Sequence, residues 1–211
     1  MVAPRWTCRC CGYGCGRGTA IDVRCARCVS RAANDLHLHW GFRYQPPLDR
    51  VIRGLKVGRL QPLGERLGAR LWRLRGWDIR RPVDAVVAVP STWWQSLQRG
   101  FNPAEEIARP IAAALGAPLL RLRQPLFRRP QKALDRAGRL RHLQRDVGLG
   151  ERSRLTGRSL LLVDDVVTTG ATLQALTRTL LRAGARHVQA LAACRTPEAS
   201  ESAENDPRTT V

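Results

Sequence analysis

Asp164 and Asp165 stand side by side after an apolar run, Leu160-Leu161-Leu162-Val163, and four residues before Thr168-Thr169-Gly170-Ala171-Thr172. The two halves of this stretch call for opposite partners. A Thr- and Gly-rich loop entering a helix offers backbone N–H groups, hydroxyls and the positive end of a helix dipole, which together suit a phosphate dianion. Gly170 would let the backbone approach such a ligand without a side chain between them. Two carboxylates would repel the same phosphate. Beside it they suit diol hydroxyls or a hydrated Mg²⁺. A ribose carrying a 5-phosphate meets both demands. An ordinary strand–turn–helix also carries acidic pairs and Thr caps, but the ordered string from Leu160 to Thr172 is far more constrained than a lone Asp-Asp.

The elements around this stretch must hold it at a sheet rim. Four apolar residues in a row predict a strand buried on both faces. A helix is expected over Leu173 to Ala183, closed by Gly184. Asp84 to Val89 is a second buried-strand candidate, ended by Pro90, with a loop from Ser91 to Gly100 at the same rim. Asn102-Pro103-Ala104-Glu105 then opens a helix, with Asn as N-cap, Pro at the first position and Glu completing a capping box. Ile107, Ile111 and Leu115 form its stripe, Gly116 and Pro118 stop it, and a short strand over 118–122 follows. Arg186 to Cys194 reads as a further strand, with Cys194 an inert buried thiol. Leu60, Leu63, Leu67, Leu71 and Leu74 recur at helical spacing and mark a packing face. Residues 36–59 read as a linker and an edge element. His37 and His39 there are expected at the surface, a metal-ligand role being the alternative.

Alternating strands and helices from Asp84 to Cys194 predict an α/β fold with a parallel sheet flanked by helices. Ligands of such sheets sit beyond the carboxyl ends of the strands, where the loops after Val89 and Val163 would face one crevice. Residues 123–158 carry Arg123, Arg128, Arg129, Lys132, Arg136, Arg139, Arg141 and Arg145. This segment is either a covering helix or a loop closing over an anion.

Six of the seven cysteines fall within residues 1–35: Cys8, Cys10, Cys11, Cys15, Cys25 and Cys28. Cys8-x-x-Cys11 and Cys25-x-x-Cys28 have the knuckle spacing of a tetrahedral zinc site. Sets using Cys10 or Cys15 fit as alternatives, and disulfides are the competing use of so many thiols. Little apolar surface lies here, so bound metal would supply the folding energy. Four Cys ligands leave no open position for catalysis.

The 211 residues suffice for one α/β domain and a small appendage, set out as a Cys-rich unit over 1–35, the α/β unit over 36–196 and a disordered acidic tail over 197–211. No run of eighteen apolar residues exists, so no membrane insertion is expected. The first residues lack the apolar core of a signal peptide, which predicts a cytoplasmic protein. The net charge of +19 comes almost wholly from Arg, with Lys56 and Lys132 the only lysines. Such a charge attracts nucleic acid, anionic lipid or phosphorylated metabolites, or is simply spread over a solvated surface.

The string from Val163 to Thr172 resembles the phosphoribosyl diphosphate (PRPP) signature of type I phosphoribosyltransferases. With the cysteine knuckles, Gly54-Leu55-Lys56, Val89-Pro90, Arg99-Gly100-Phe101-Asn102, Pro130-Gln131 and Leu134, the chain resembles the ComF family from about Cys8 to Thr196. The resemblance implies a type I phosphoribosyltransferase-like domain behind a small zinc ribbon with structural Zn²⁺ on Cys8, Cys11, Cys25 and Cys28. It implies PRPP with Mg²⁺ as ligand. Asp164 and Asp165 would hold the ribose hydroxyls or the Mg²⁺ shell, and Thr168, Thr169, Gly170, Ala171 and Thr172 the 5-phosphate. Pro90 and Ser91 would face the pyrophosphate, with Lys132 and Arg139 in a catalytic loop. It further implies transfer of phosphoribosyl to a nitrogen acceptor, or a role without catalysis in natural competence, with single-stranded DNA and competence proteins as partners, or in sensing PRPP. Ser91-Thr92-Trp93-Trp94-Gln95 replaces the Leu, His and basic residues usual after Val-Pro, and Pro103 replaces a Gln. The phosphate half of the motif is therefore intact and the pyrophosphate half altered. Trp93 and Trp94 either stack a base or pack under their loop.

Overall fold

The computed structural model describes residues 8, 10–12, 25, 28, 36–58, 60–79, 81–90, 101–122 and 154–197. Its centre is a five-stranded sheet, paired in parallel throughout. The strands are β1 (His37–Arg43), β2 (Ala85–Ala88), β3 (Leu119–Leu120), β4 (Ser159–Val167) and β5 (His187–Arg195), in the spatial order β1-β5-β4-β2-β3. The helices are α1 (Leu48–Lys56), α2 (Gln61–Arg75), α3 (Pro103–Leu115) and α4 (Ala171–Arg182). This is the expected parallel α/β sheet flanked by helices.

The order of the strands follows from their hydrophobicity. β4 lies in the middle, and Leu160, Leu161, Leu162 and Val163 are all buried because both sheet faces are covered. Leu160 and Leu162 join a core with Leu173, Leu176 and Leu180 of α4. Leu161 and Val163 join the opposite core, made with Ile52 and Leu55 of α1, Leu67 and Leu71 of α2, and Ile107 and Ile111 of α3. Glycine lets α2 and α3 meet closely: a Cβ on Gly68 would lie 2.1 Å from the Ile107 carbonyl oxygen.

Several boundaries differ from the sequence expectation. The expected edge element within residues 36–59 is β1, which pairs along β5 at the sheet's margin, but a helix, α1, stands where a linker was expected. His37, His39 and Gly41 interrupt the apolar run of β1 and hid it. The strand over 118–122 shrinks to Leu119–Leu120. At α3 the Asn102 side chain accepts from the Ala104 N–H at 3.1 Å and donates to the Val89 carbonyl at 2.9 Å. The cap thus ties the helix to the end of β2. The expected capping-box residue, Glu105, instead accepts from Arg121 Nε at 2.8 Å.

Candidate functional site

The acidic pair lies inside β4 rather than beyond it, since the strand continues to Val167. The alternation of the strand slips there. Val163 and Val166 pack into the same core although they are three residues apart, and Val167 turns to the opposite one. In the ladder with β5, Asp164 matches Ala192 and Val166 matches Cys194, with Asp165 between them. The Asp165 N–H donates to Asp164 Oδ1 at 2.9 Å, and the Val166 N–H donates to Asp165 Oδ1 at 2.7 Å. Each carboxylate thereby takes up the next backbone donor. Irregularities of this kind recur beside functional sites because they re-aim side chains.

The two carboxylates differ in surroundings. Asp165 Oδ2 pairs with Lys56 Nζ at 3.2 Å, where α1 ends. Asp164 is in no ion pair among the described residues, although part of its surface stays open. Its carboxyl is held well above the usual carboxylate range, first by burial and then by the negative charge of Asp165, with Lys56 pulling the other way. Two adjacent carboxylates served by one ammonium form a hard-oxygen site short of positive charge. That donor set fits Mg²⁺.

Past Val167 the chain turns through Thr168 and Thr169, both exposed, into α4. Gly170 is the N-cap, at φ 73°. A Cβ there would make only ordinary contacts, 3.8 Å from Leu38 and Val167, so backbone conformation rather than crowding requires glycine. The helix begins at Ala171, two residues earlier than expected. It has no side-chain cap and no acidic residue in its first turn, and Thr172 is exposed. The Ala171 N–H donates to Thr169 Oγ1 only at a long 3.5 Å, and a helix start of this kind can turn its N–H groups to an anion. At its far end Gly184, at φ 101°, follows the last turn as the sequence predicts.

Pro90 closes the neighbouring β2, anchored by the Val89 N–H donating to the Val163 carbonyl at 2.8 Å. The structure therefore brings Pro90, Asp164, Asp165, Thr168, Thr169, Gly170, Ala171 and Thr172 to one rim. Ser91, Lys132 and Arg139 lie outside the described residues, as do Trp93, Trp94 and the tail beyond Pro197. Lys56 is the residue that sequence reasoning passed over. It was visible in Gly54-Leu55-Lys56 and as one of only two lysines in an Arg-rich chain.

A second constellation lies where β1 and β5 run side by side. The sulfurs of Cys8, Cys11, Cys25 and Cys28 all lie within 4.8 Å of one another. Cys11 and Cys25 Sγ are 3.7 Å apart. Tetrahedral zinc with Zn–S near 2.3 Å puts two sulfurs about 3.8 Å apart. The set therefore fits zinc, and histidine is absent from it among the described residues. Cys8 Sγ also accepts the Cys25 N–H at 3.2 Å. The thiols are driven apart in acidity: hydrogen bonding from Cys11 brings Cys8 down to about 4, and burial pushes Cys28 up to about 12. Four clustered sulfurs cannot all ionise without a cation among them. Trp40 Nε1 donates to the Gly12 carbonyl and buried Arg195 to the Cys11 carbonyl, which seats the knuckle on the sheet. Cys194, buried in β5, is pushed up to about 12 by burial, which keeps the thiol protonated near neutral pH. No helix among the described residues is long and apolar enough to cross a membrane.

Comparison with known proteins adds to this geometry. Residues 98–210 match the phosphoribosyl transferase domain family. DNA utilization protein YhgH of Escherichia coli (strain K12) is 31% identical over 188 residues, covering 84% of this chain and 80% of that protein. Competence protein F of Haemophilus influenzae is 27% identical over 154 residues, covering 69% and 67%. A solved structure of the allosteric regulatory enzyme of purine biosynthesis is 18% identical with a TM-score of 0.43; the match spans 66% of this chain and 29% of that longer one. With its parallel sheet and N-terminal four-cysteine cluster, the chain belongs to the phosphoribosyl transferase domain family, in the ComF group represented by DNA utilization protein YhgH and Competence protein F.

Proposed function

We propose that the protein binds PRPP together with Mg²⁺ at the β4–α4 rim. The observation that carries this reading is the juxtaposition of the Asp164–Asp165 pair with the exposed, uncapped turn Thr168–Thr172. The turn accepts the 5-phosphate through the first N–H groups of α4 and the hydroxyls of Thr168, Thr169 and Thr172, with Gly170 and Ala171 supplying backbone donors. The carboxylates take the ribose hydroxyls or the hydration shell of Mg²⁺. Bound Mg²⁺ supplies charge neutralisation at the pyrophosphate. Pro90 borders that side, and the resemblance to the ComF family gives Ser91, Lys132 and Arg139 a part in handling the pyrophosphate.

The same arrangement supports transfer of phosphoribosyl to a nitrogen acceptor. The bond from C1 to pyrophosphate breaks as the C1–N bond forms, and placed cations stabilise the departing charge. In this reading Cys8, Cys11, Cys25 and Cys28 hold a structural Zn²⁺ as the centre of a Cys-rich unit over 1–35, ahead of the phosphoribosyltransferase-like unit over 36–196. Calorimetric titration of PRPP with and without Mg²⁺, on wild type and Asp165→Asn, tests binding. Mg²⁺-dependent heat lost in the variant is expected, and the absence of PRPP binding to the wild type would refute the proposal. Pyrophosphate release over a panel of bases and amines tests transfer.

A second role, in handling single-stranded DNA, is supported by the names of the relatives and the charge of +19. It predicts binding that weakens steeply with salt.

A further inference from the structure

We propose that Lys56 is the resident counter-cation of the acidic pair, and that a divalent ion enters the site only by displacing it. The inference deepens the PRPP–Mg²⁺ reading and rests on it for the identity of the ligand, though its test does not need PRPP. Lys56 Nζ stands 3.2 Å from Asp165 Oδ2, the position a divalent ion or its water shell would take. The Asp165 side chain is 14% exposed and that of Lys56 is 37% exposed, so the ammonium reaches in from the solvent side and has room to withdraw.

The backbone below it is anchored. Ile52 and Leu55, one turn and one residue before it, are fully buried in the core shared with α2 and α3. Lys56 can therefore leave only by moving its side chain. It is the last residue of α1, where the negative end of the helix dipole favours a cation even when the carboxylate is given up.

Composition supplies the independent argument. All but two of the 36 Lys and Arg residues are Arg, yet this position holds Lys. Arginine would grip a carboxylate through a planar, bidentate fork, whereas lysine is a compact, well-hydrated point charge on a flexible stem. A cation that must give way to a metal has the properties of lysine. The consequence is a site that takes divalent metal poorly by itself and takes it readily when a phosphorylated ligand brings further oxygens.

Mn²⁺ titration of zinc-loaded protein, followed by calorimetry without PRPP, tests this on wild type, Lys56→Met and Lys56→Arg. Lys56→Met is expected to bind Mn²⁺ about tenfold more tightly than wild type, and Lys56→Arg no more tightly. Unchanged or weaker binding by Lys56→Met overturns the proposal, as does tighter binding by both variants. Circular dichroism checks the fold, and Lys56→Gln replaces Lys56→Met should the latter fail to fold. PRPP titration of the same proteins separates the two readings. Wild type that binds PRPP while Mn²⁺ affinity ignores residue 56 sinks only the counter-cation. Absence of PRPP binding in every protein sinks only the ribose reading.

Discussion

Replacing Asp164 with Asn should make the protein more stable at neutral pH while destroying the site. The exchange keeps the shape, and the side-chain oxygen that accepts the Asp165 N–H at 2.9 Å remains as an amide oxygen. What disappears is a charge that burial and Asp165 both oppose. A carboxyl that ionises less readily in the folded chain than in the unfolded one, where its pKa is about 3.9, stabilises the fold in acid. That contribution is fully present below the unfolded value and is lost as pH rises through the elevated folded value. The variant has nothing to lose over that window, so its advantage opens from about pH 4 upward and then levels off. Single stabilising substitutions commonly give about 0.5–2 kcal/mol. Lys56 and the retained hydrogen bond offset part of the strain, which places the gain near 1 kcal/mol and the Tm increase at about 2–4 °C for a chain of this size. Scanning fluorimetry across pH gives the difference directly. The Mg²⁺-dependent affinity for PRPP, measured in parallel, should fall at least tenfold, or about 1.4 kcal/mol. A Tm difference that is the same in acid and at neutral pH, or a variant less stable than wild type at every pH, would refute the claim that Asp164 is held under strain.

Two further outcomes follow from the packing. Gly68→Ala should destabilise the fold by about 1–3 kcal/mol, because the new methyl meets the backbone of α3, which cannot rotate away as a side chain would; a Tm fall of about 2–4 °C per kcal/mol is expected, and none would show that α2 and α3 can separate freely. Cys25→Ser should reduce zinc from about one ion per chain to a small fraction in metal analysis, and should lower Tm, since three sulfurs no longer close the tetrahedron. Full zinc occupancy in that variant would show that Cys10 or Cys15 completes the set.

The sequence made β4 legible because burial on both faces leaves an unbroken apolar run, and it made α3 and α4 legible through Asn102, Gly116 and Gly184. Other features depend on contacts far along the chain. β1 reads poorly because polar His37 and His39 alternate with Leu38 and Trp40, and only its pairing with β5 defines it. The slip at Asp164 leaves no trace in residue types, since Val163, Val166 and Val167 look alike whichever face they take. Gly170 has a positive φ that demands glycine whatever ligand approaches it, and no local pattern announces that conformation. The partnership of Lys56 with Asp165 spans more than half the chain, and no local pattern encodes it.

The cysteine knuckle has no position open for chemistry, so its place against the sheet asks for another explanation. Arg195, which donates to the Cys11 carbonyl, is matched in the ladder with Val167, the last residue before the turn. The next N–H along, that of Thr196, donates to the Val167 carbonyl at 3.0 Å, and the Arg195 carbonyl accepts from the Tyr44 N–H at 2.7 Å. One short segment of β5 therefore holds the knuckle, the exit of β1 and the root of the turn. An exposed turn has little packing of its own to fix it, and an anion site works only when its donors stay aimed. Buried Arg195, satisfied by the Cys11 carbonyl of a knuckle that zinc would make rigid, ties the root of the turn to a fixed point.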